Sequence, residues 1–432
     1  MAISSIFIAF LIMLAIMLMG MPIAAVMALT GIVGGVLAFG WPLVDSMGAV
    51  VWGVQNENIL TAIPLFILLG ELLLRSGIAD RMYGALSLWF GMLPGGLLHT
   101  NIGCCALFSA TSGSSVATAA TIGTVAMPAL KARGYDSSRS LGSLAAGGTL
   151  GILIPPSVNL LVYGAMAEQS IGELFVAGII PGIVLTFLFM AFIAISSLRN
   201  RGETVMEKTP LSVKIAGLPA LFPPLVIFSI VIGSIYLGIA TPTESAALGV
   251  VTALIFVVAY KKMSLEFLNR CFVQTAKTTG MVLLIVTAAF VLNVTLSLTG
   301  VAQSMTMWIA SLGLSQTGLL LTLIVFYLIL GMFMDVLSMQ VLTIPIAVPV
   351  IIAAGIDPVW FGIFVVLMCE LGLITPPVGM NLYIVHGIRL DSGPFSDIVR
   401  GALPYVIIML FFTVLVIAFP QIVMWLPRMM YG

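Results

Sequence analysis

The sequence predicts an all-α, polytopic membrane protein made of two copies of one helical unit that face opposite sides of the bilayer. Three observations lead to this prediction: a scarcity of charge, an uneven distribution of basic residues, and an internal repeat. Of the 432 residues, 61% are hydrophobic and 7% are charged, whereas a soluble domain carries about 25% charged residues. The bilayer is therefore the expected solvent, and the zero net charge gives no indication of nucleic-acid binding.

Ten apolar segments are long enough to be interpreted as membrane spans, because a helix crosses the bilayer in about 20 residues. They are residues 3–19, 22–40, 58–75, 140–167, 175–198, 212–238, 243–260, 275–299, 359–387 and 400–419. We interpret the first as a span and not as a cleaved signal peptide, because no Lys or Arg precedes it. The longest polar stretch, Arg199 to Pro210, is predicted to be a loop.

The basic residues predict how these segments are threaded, because Lys and Arg collect in cytoplasmic loops. Fifteen of the sixteen Lys and Arg lie in five segments that we place inside: 75–81, 131–139, 199–214, 261–277 and 389–400. The segments without Lys or Arg, which we place outside, are 41–57, 168–174, 239–242, 300–316 and 353–358. Arg428 and both termini are also placed outside.

This threading requires two apolar segments to enter and leave the membrane on the same side. Residues 95–131 must start and end inside, and residues 317–352 must start and end outside. We therefore predict two re-entrant helical hairpins, named hairpin one (95–131) and hairpin two (317–352).

An internal repeat appears when the chain is shifted by 221 positions. Eight residues are then identical between 128–156 and 349–377, at Pro128, Ala132, Gly134, Asp136, Leu150, Gly151, Pro155 and Pro156. The repeated loop reads KARGYDSSR in the first copy and the uncharged AAGIDPVW in the second. We assign residues 1–210 to a first repeat and 211–432 to a second one of opposite orientation, an arrangement typical of secondary transporters.

Each repeat contains a Pro-Pro pair midway along a span, in LGILIPPSVN at 150–159 and LGLITPPVGMN at 371–381. Two prolines remove two N–H donors and block the preceding turn. We therefore predict that 140–167 and 359–387 are discontinuous helices with unwound links. The freed carbonyl groups need a partner at membrane depth, and a monovalent cation meets that need. The alternative is a simple proline kink.

The hairpin tips differ in chemistry. Hairpin one contains TSGSSVATAATIG at 111–123, rich in hydroxyl groups, and a helix predicted to begin near Ser114 directs its positive end at the tip. Hairpin two contains Asp335, which falls on Ser114 at the offset of 221. A carboxylate at membrane depth is costly, so we expect a cation or a helix N-terminus beside it. The alternatives are tight helix packing at the first tip and a helix cap at the second.

Other ionisable residues favour structural interpretations. Glu71 is spaced to pair with Arg75, Glu244 lies at a span start, and Glu370 is placed to hydrogen-bond the backbone of the second discontinuous helix. His99 and His386 stand alone, so no nucleophile–base constellation indicates an enzyme. No arginine is expected at mid-membrane to bind a carboxylate.

The motifs SGSSVATAATIG at 112–123, both LGxxxPP segments and ATPTE at 240–244 resemble the large membrane subunit of a TRAP (tripartite ATP-independent periplasmic) transporter, along essentially the whole chain. The resemblance implies a multi-pass protein of the bacterial inner membrane that works as an elevator. It implies sodium-coupled uptake of an organic acid, such as a C4-dicarboxylate or a sialic acid, with no organic cofactor. The partners implied are a periplasmic binding protein and a small four-helix membrane subunit. Because the chain begins at its first span, we expect that subunit to be encoded separately.

The resemblance also implies site residues. The first sodium site maps onto Ser112, Ser115, Gly151, Leu153 and Pro156, and the second onto Asp335, Thr375 and Val378. Candidate substrate-binding residues are Ser114, Thr118, Asn159 and Asn381. A stand-alone sodium/anion symporter that needs no binding protein is the alternative function.

Overall fold

The computed structural model describes residues 3–199 and 209–431, and those ranges form helices joined by short links, with no strand. The first-half helices are α1 (Ile3–Leu18), α2 (Ile23–Phe39), α3 (Pro42–Gln55), α4 (Ala62–Arg75), α5 (Ile78–Phe90), α6 (Leu97–Ser112), α7 (Ser115–Ala132), α8 (Ser137–Gly148), α9 (Leu150–Leu153), α10 (Val158–Ala167) and α11 (Ile171–Arg199). The second-half helices are α12 (Leu211–Gly217), α13 (Phe222–Tyr236), α14 (Pro242–Ala259), α15 (Leu265–Leu298), α16 (Val301–Ser311), α17 (Gln316–Gly331), α18 (Val336–Ala353), α19 (Pro358–Leu373), α20 (Met380–Gly387), α21 (Phe395–Ala418) and α22 (Gln421–Tyr431).

The prediction of an all-α, multi-pass membrane protein is confirmed. Six helices of the described residues are long and apolar enough to cross a membrane, or up to eight if each of two bent helix pairs is one span. This is fewer than the ten spans expected, because the apolar helices at three of them, Ile8–Met17 within α1, α2 and α19, are shorter than the helices counted as spans. Helix α18, expected as one arm of a hairpin, is itself long enough to cross.

The helices of the two halves recur at the spacing found in the sequence. Helix α7 spans 115–132 and α18 spans 336–353, so both ends are displaced by 221 residues. Helices α6 and α17 precede them as the first arms of helical hairpins, and each hairpin is followed by an interrupted helix. The two halves therefore share one succession of elements, while their opposite orientation in a membrane stays a prediction.

Two segments predicted to be outer loops are largely helical. Segment 41–57 contains α3, and segment 300–316 contains α16. Helix α3 carries apolar residues at helical spacing, and Leu43, Met47 and Val54 are buried. The absence of basic residues predicts the side on which these segments lie, but it carries no information on whether they are helical.

The predicted inner loop at 75–81 is a sharp bend with little irregular backbone. Helix α4 ends at Arg75 and α5 begins at Ile78, and their axes differ by 66°. Gly77 sits in the left-handed region at φ 77°, which a residue without Cβ adopts without strain. Gly300, at φ 68°, marks the corresponding junction of α15 and α16.

Three further boundaries differ from the sequence prediction. Helix α15 begins at Leu265, ten residues before the predicted span at 275. The predicted span 212–238 consists of α12, a short 3₁₀ helix (Leu218–Leu221) and α13. Helix α22 was not anticipated. Within the polar loop predicted at 199–210, residues 200–208 lie outside the described residues.

The helices form two packed groups. Helix α15 packs against α2 and α4, and α4 packs against α14. Thr295 of α15 donates a hydrogen bond of 2.7 Å to the carbonyl of Gly31 in α2. The second group contains α6–α11 and α17–α21, with α19 at its centre, where every residue from Val359 to Leu373 is buried. We call these groups the scaffold and the core.

Loops assigned to the same side of the membrane contact one another. Lys131 donates to the carbonyl of Leu390 over 2.9 Å, and the Arg81 guanidinium lies 4.0 Å from the ring centroid of Tyr260. On the opposite side, Thr243 donates to the carbonyl of Asn58 over 3.2 Å. These contacts agree with the sidedness that the basic residues predict.

Candidate functional site

Both Pro-Pro pairs interrupt their helices, as the sequence predicts. Helix α9 ends at Leu153 and α10 begins at Val158, with a bend of 41° between the helical stretches. Helix α19 ends at Leu373 and α20 begins at Met380. Proline cannot donate to the helix ladder, so each link leaves backbone carbonyl groups without helical partners inside the core.

The tip of each hairpin is a helix start with a polar cap. Ser114 is the N-cap of α7, and its hydroxyl accepts from the backbone N–H of Ala117 over 3.4 Å. Asp335 is the N-cap of α18, and its carboxylate accepts from the N–H of Ser338 over 3.3 Å and from the Ser338 hydroxyl. The cap interpretation of Asp335 is therefore confirmed, and its role as a cation ligand stays a prediction.

The first hairpin tip lies directly on the first helix break. A Cβ built on Gly151 would lie 2.5 Å from the Cα of Ser115, so the two backbones touch. A Cβ built on Gly113 would lie 2.7 Å from the carbonyl oxygen of Pro156. Tertiary packing thus brings Ser112, Ser115, Gly151 and Pro156 into one place, as the first predicted sodium site requires.

Leu153, the fifth residue predicted for that site, has its carbonyl oxygen on the side of α11. A Cβ built on Gly178 would lie 2.6 Å from it. This oxygen therefore lies against α11.

The second hairpin tip contacts the second break in a similar way. The N–H of Val378 donates to the carbonyl of Met332 over 3.2 Å. The Thr375 hydroxyl donates to the carbonyl of Leu371 over 2.7 Å, which leaves its oxygen lone pairs unshared. Thr375 and Val378 therefore lie beside the link that leads to Asp335.

The two breaks differ in exposure. Residues Pro155, Pro156 and Ser157 of the first link are buried, whereas Pro377 and Val378 of the second are exposed. The first predicted cation site is enclosed and the second is open at the surface of this chain.

A cavity of about 800 Å³ lies between scaffold and core. Its lining includes Ser112, Gly113, Ser114, Ser115, Asn159, Asp335, Glu71, Arg75, Gln274 and Thr278. Two of the predicted substrate-binding residues, Ser114 and Asn159, reach it. The other two do not line it: Thr118 shares a hydrogen bond of 2.8 Å with Ser112, and Asn381 is buried against Gly148.

Arg75 and Glu71 are the functional candidates that sequence reasoning underestimated. They form the predicted ion pair, with Arg75 Nε 2.9 Å from Glu71 Oε2. The pair also lines the cavity, so an arginine borders this space although none was expected at mid-membrane. Their spacing in α4 was visible in the sequence, but the approach of α4 to the hairpin tip was not.

Glu370 makes a different contact from the one expected. Its carboxylate Oε1 accepts from the N–H of Ile152 over 3.2 Å and from the hydroxyl of Ser115 over 2.5 Å. Ile152 belongs to the first discontinuous helix and Ser115 to hairpin one, so neither partner is in the second discontinuous helix. The expectation was wrong because it considered only the backbone near Glu370 in the sequence, whereas the side chain extends from α19 across to α7 and α9.

Comparisons with known proteins match this architecture. Residues 10–422 match the family model described as "Tripartite ATP-independent periplasmic transporter, DctM component". A "C4-dicarboxylate TRAP transporter large permease protein DctM" of Pseudomonas aeruginosa is 34% identical over 394 residues, covering 91% of this chain and 92% of the relative. A "Sialic acid TRAP transporter large permease protein SiaM" of Vibrio cholerae is 33% identical and covers 88% of each chain.

Two further matches bear on substrate range and on fold. An "Ectoine TRAP transporter large permease protein TeaC" of Halomonas elongata is 29% identical, covering 96% of this chain and 97% of the relative. The crystal structure of the Alcanivorax borkumensis YdaH transporter superposes with a TM-score of 0.58 at 16% identity, covering 88% of this chain and 89% of that one. The latter shows a shared fold alone. Since the family model spans nearly the whole chain and relatives exceed 30% identity over most of their lengths, the chain belongs to the DctM family of TRAP transporter large permeases.

Proposed function

We propose that this permease couples the entry of sodium to the uptake of an organic acid that a periplasmic binding protein delivers. The observation that carries the proposal is the cavity of about 800 Å³ between scaffold and core. The hydroxyl-rich tip of α6–α7 and the Asp335 carboxylate both line it. Hydroxyl, carbonyl and carboxylate oxygens are suitable ligands for a hard cation.

The charges that line the cavity support coupling. Among the described lining residues, Glu71 and Asp335 are acidic and Arg75 is basic, which sums to one formal negative charge. An anion that entered this cavity alone would meet net repulsion, strengthened by the low dielectric constant of its surroundings. A cation bound beside Asp335 would cancel that charge, so we expect substrate binding to depend on sodium.

Recognition of the acid is assigned to two groups that line the cavity. The N-terminus of α7 directs backbone N–H groups and the Ser114 hydroxyl towards the cavity. Arg75 lines the same cavity, and the contact with Glu71 is made by its Nε. We assign its two terminal nitrogens to the substrate. The relatives named for C4-dicarboxylates, sialic acid and ectoine all act on carboxylate-bearing compounds, and we propose a carboxylate-bearing substrate for this chain too.

The partners proposed are a small membrane subunit and a periplasmic binding protein, in a bacterial inner membrane. The exposed scaffold helices leave many large apolar side chains at the surface, such as Ile255 at 61% and Val258 at 56% exposure. A bilayer or an apolar membrane subunit would cover such a surface.

The movement proposed is an elevator, in which the core slides against the scaffold. Each hairpin tip is tied by backbone contact to its own helix break, at Gly151 and at Gly372. Tip and break would therefore move together as one body, carrying cations and substrate. The cavity between the groups marks the surface along which they would move.

The driving force is adequate for accumulation. One positive charge that enters through 100 mV contributes about 2.3 kcal/mol, and a tenfold sodium gradient adds about 1.4 kcal/mol. Two sodium ions would supply roughly 7 kcal/mol in total, of which an anionic substrate would give back part of the electrical share.

The proposal is tested by uptake into proteoliposomes that contain the permease and its small subunit. Uptake of a candidate acid is measured with an imposed sodium gradient, with the binding protein present or omitted, and with potassium replacing sodium as the control. We expect uptake only with sodium and binding protein together. Efficient uptake without the binding protein would instead identify a stand-alone symporter, and uptake driven equally by potassium would refute sodium coupling.

A further inference from the structure

Glu370 is a buried carboxylate of the second half. Among the described residues, the hydrogen-bond partners of its side chain lie in the first half. Its side chain is 0% exposed on α19. The Oε1 atom accepts from Ser115 Oγ over 2.5 Å and from the N–H of Ile152 over 3.2 Å. Ser115, at the α6–α7 tip, is itself a residue of the first predicted sodium site, and Ile152 lies between two others, Gly151 and Leu153, at the helix break.

The contact with Ile152 ties Glu370 to the end of a helical stretch. Ile152 is the third residue of α9 (Leu150–Leu153), which continues α8 so that Ser137–Leu153 form one stretch that ends at the Pro-Pro link. Glu370 accepts the N–H of Ile152 over 3.2 Å. Glu370 therefore anchors the backbone between Gly151 and Leu153 immediately before the Pro-Pro pair.

The contact with Ser115 determines where the serine oxygen points. The Ser115 hydroxyl donates its hydrogen to Glu370, so its lone pairs face away from the carboxylate. Partners behind metal ligands fix the orientation of those ligands in this way. One carboxylate thus sets the position of α9 and the orientation of a hydroxyl on α7.

We infer that Glu370 is a positioning residue for the first cation site, supplied to that site by the opposite half of the chain. The inference rests on the proposed sodium coupling. It assigns Glu370 no direct contact with sodium or substrate: Glu370 acts through Ser115 and Ile152.

The repeat strengthens this assignment by contrast. At the offset of 221, Glu370 corresponds to Thr149 of the first half. Thr149 is also buried, but its hydroxyl donates to the carbonyl of Ala146 over 2.6 Å and to the sulfur of Met409 over 3.7 Å, and not to the second break. The carboxylate brace therefore serves one of the two corresponding breaks, the enclosed one.

The second carboxylate oxygen makes a sharp test possible. Oε2 of Glu370 is buried and has no hydrogen-bond partner among the described residues. A Glu370→Gln variant would keep its oxygen on Ser115 and Ile152 and place its amide nitrogen where Oε2 lies. A Glu370→Asp variant keeps the charge but is one methylene too short to hold both contacts, and Glu370→Ala removes them.

The experiment uses the complete transporter, with small subunit and binding protein, in proteoliposomes. We measure the sodium concentration for half-maximal uptake and, at saturating sodium, the maximal rate and the substrate KM. Sodium-dependent thermal shifts of the purified variants provide a second readout without transport. Thr149→Val serves as the matched control at the corresponding buried position.

We expect Glu370→Ala and Glu370→Asp to raise half-saturating sodium about 10- to 100-fold, with substrate KM at saturating sodium close to that of the parent. In Glu370→Gln, half-saturating sodium should stay within about threefold of the parent value, well below the effect of losing a partner behind a metal ligand. Thr149→Val should match the parent. If Glu370→Ala does not fold, the comparison of Asp with Gln decides.

Two results would overturn the inference. Parent-like sodium dependence in Glu370→Asp, or a Glu370→Gln variant as impaired as Glu370→Ala, would show that contact geometry does not set the site. If the parent protein itself lacks sodium dependence, the proposed sodium coupling fails and this inference fails with it. Sodium dependence in the parent with unchanged variants refutes the inference alone.

Discussion

Gly331 and Gly372 are in direct backbone contact: a Cβ built on Gly372 would lie 2.7 Å from the Cα of Gly331, and one built on Gly331 would lie 2.8 Å from the Cα of Gly372. Gly331 ends α17 at the second hairpin tip, and Gly372 precedes the second Pro-Pro pair. Gly151, which corresponds to Gly372, touches Ser115 in the same manner. In the motif LGxxxPP, the glycine has no side chain and lets another backbone approach closely. The two prolines that follow interrupt the helix and leave carbonyl groups without helical partners.

Gly372→Ala is expected to destabilise the protein and to reduce uptake, because neither backbone can yield to the added methyl group. Overpacking of this kind costs about 1–3 kcal/mol. Thermal denaturation of the purified protein and uptake by the reconstituted transporter measure the two effects. The control is Gly280→Ala in α15, where an added Cβ meets nothing within 4 Å and alanine favours the helix. Equal stability of the two variants would contradict the close contact.

Asp335→Asn is expected to raise the sodium concentration needed for half-maximal uptake while the protein remains folded. Asparagine caps helices about as well as aspartate, so the cap at the start of α18 is retained and only the charge in the cavity is lost. Asp136→Asn is the control, since Asp136 caps α8 in the same way, accepting from the Arg139 N–H over 2.9 Å. An equal shift in both variants would point to capping and not to ion binding.

Ser112→Ala is expected to weaken the response to sodium without a large change in stability. The Ser112 hydroxyl shares a hydrogen bond with Thr118 inside the first tip, and alanine removes an oxygen beside the first break. Sodium activation curves of the variant and the parent make the comparison. Superimposable curves would count against Ser112 as a ligand.

Arg75→Gln is expected to raise the KM for an anionic substrate about tenfold or more, since a hydrogen bond to a charged group contributes about 1.5–3 kcal/mol. Arg270→Gln is the control: Arg270 pairs with Glu266 at the same helical spacing, but both are exposed and away from the cavity. The double variant Glu71→Gln/Arg75→Gln separates loss of the positive charge from an unpaired Glu71. A normal KM in that double variant would remove Arg75 from recognition.

Cysteines introduced at Ala132 and Ala353 are expected to react with an impermeant thiol reagent from opposite sides of the membrane. These alanines correspond at the offset of 221, end α7 and α18, and are both exposed. The natural cysteines are all buried, so background labelling should be low. Labelling of both positions from one side would refute the inverted arrangement.

The sequence by itself determined the solvent, the helical class and the position of the breaks. Few charges exclude a water-covered surface, and a Pro-Pro pair interrupts a helix wherever it lies, because proline lacks the N–H that the ladder requires. The spacing of 221 residues also located corresponding helices in the two halves. The prediction of outer loops at 41–57 and 300–316 was wrong, because the absence of basic residues does not indicate whether a segment is helical. These segments contain α3 and α16.

Only the tertiary structure decided which residues meet. Ser115 and Glu370 are 255 residues apart in the chain and share a hydrogen bond, and Arg75 reaches the cavity because α4 packs beside the first hairpin tip. Periodicity and motif spacing describe one element at a time, whereas such contacts depend on how helices from both halves are packed. The two hairpin tips are thus predictable from the sequence, but the hydrogen bond between one of them and a carboxylate of the other half is not.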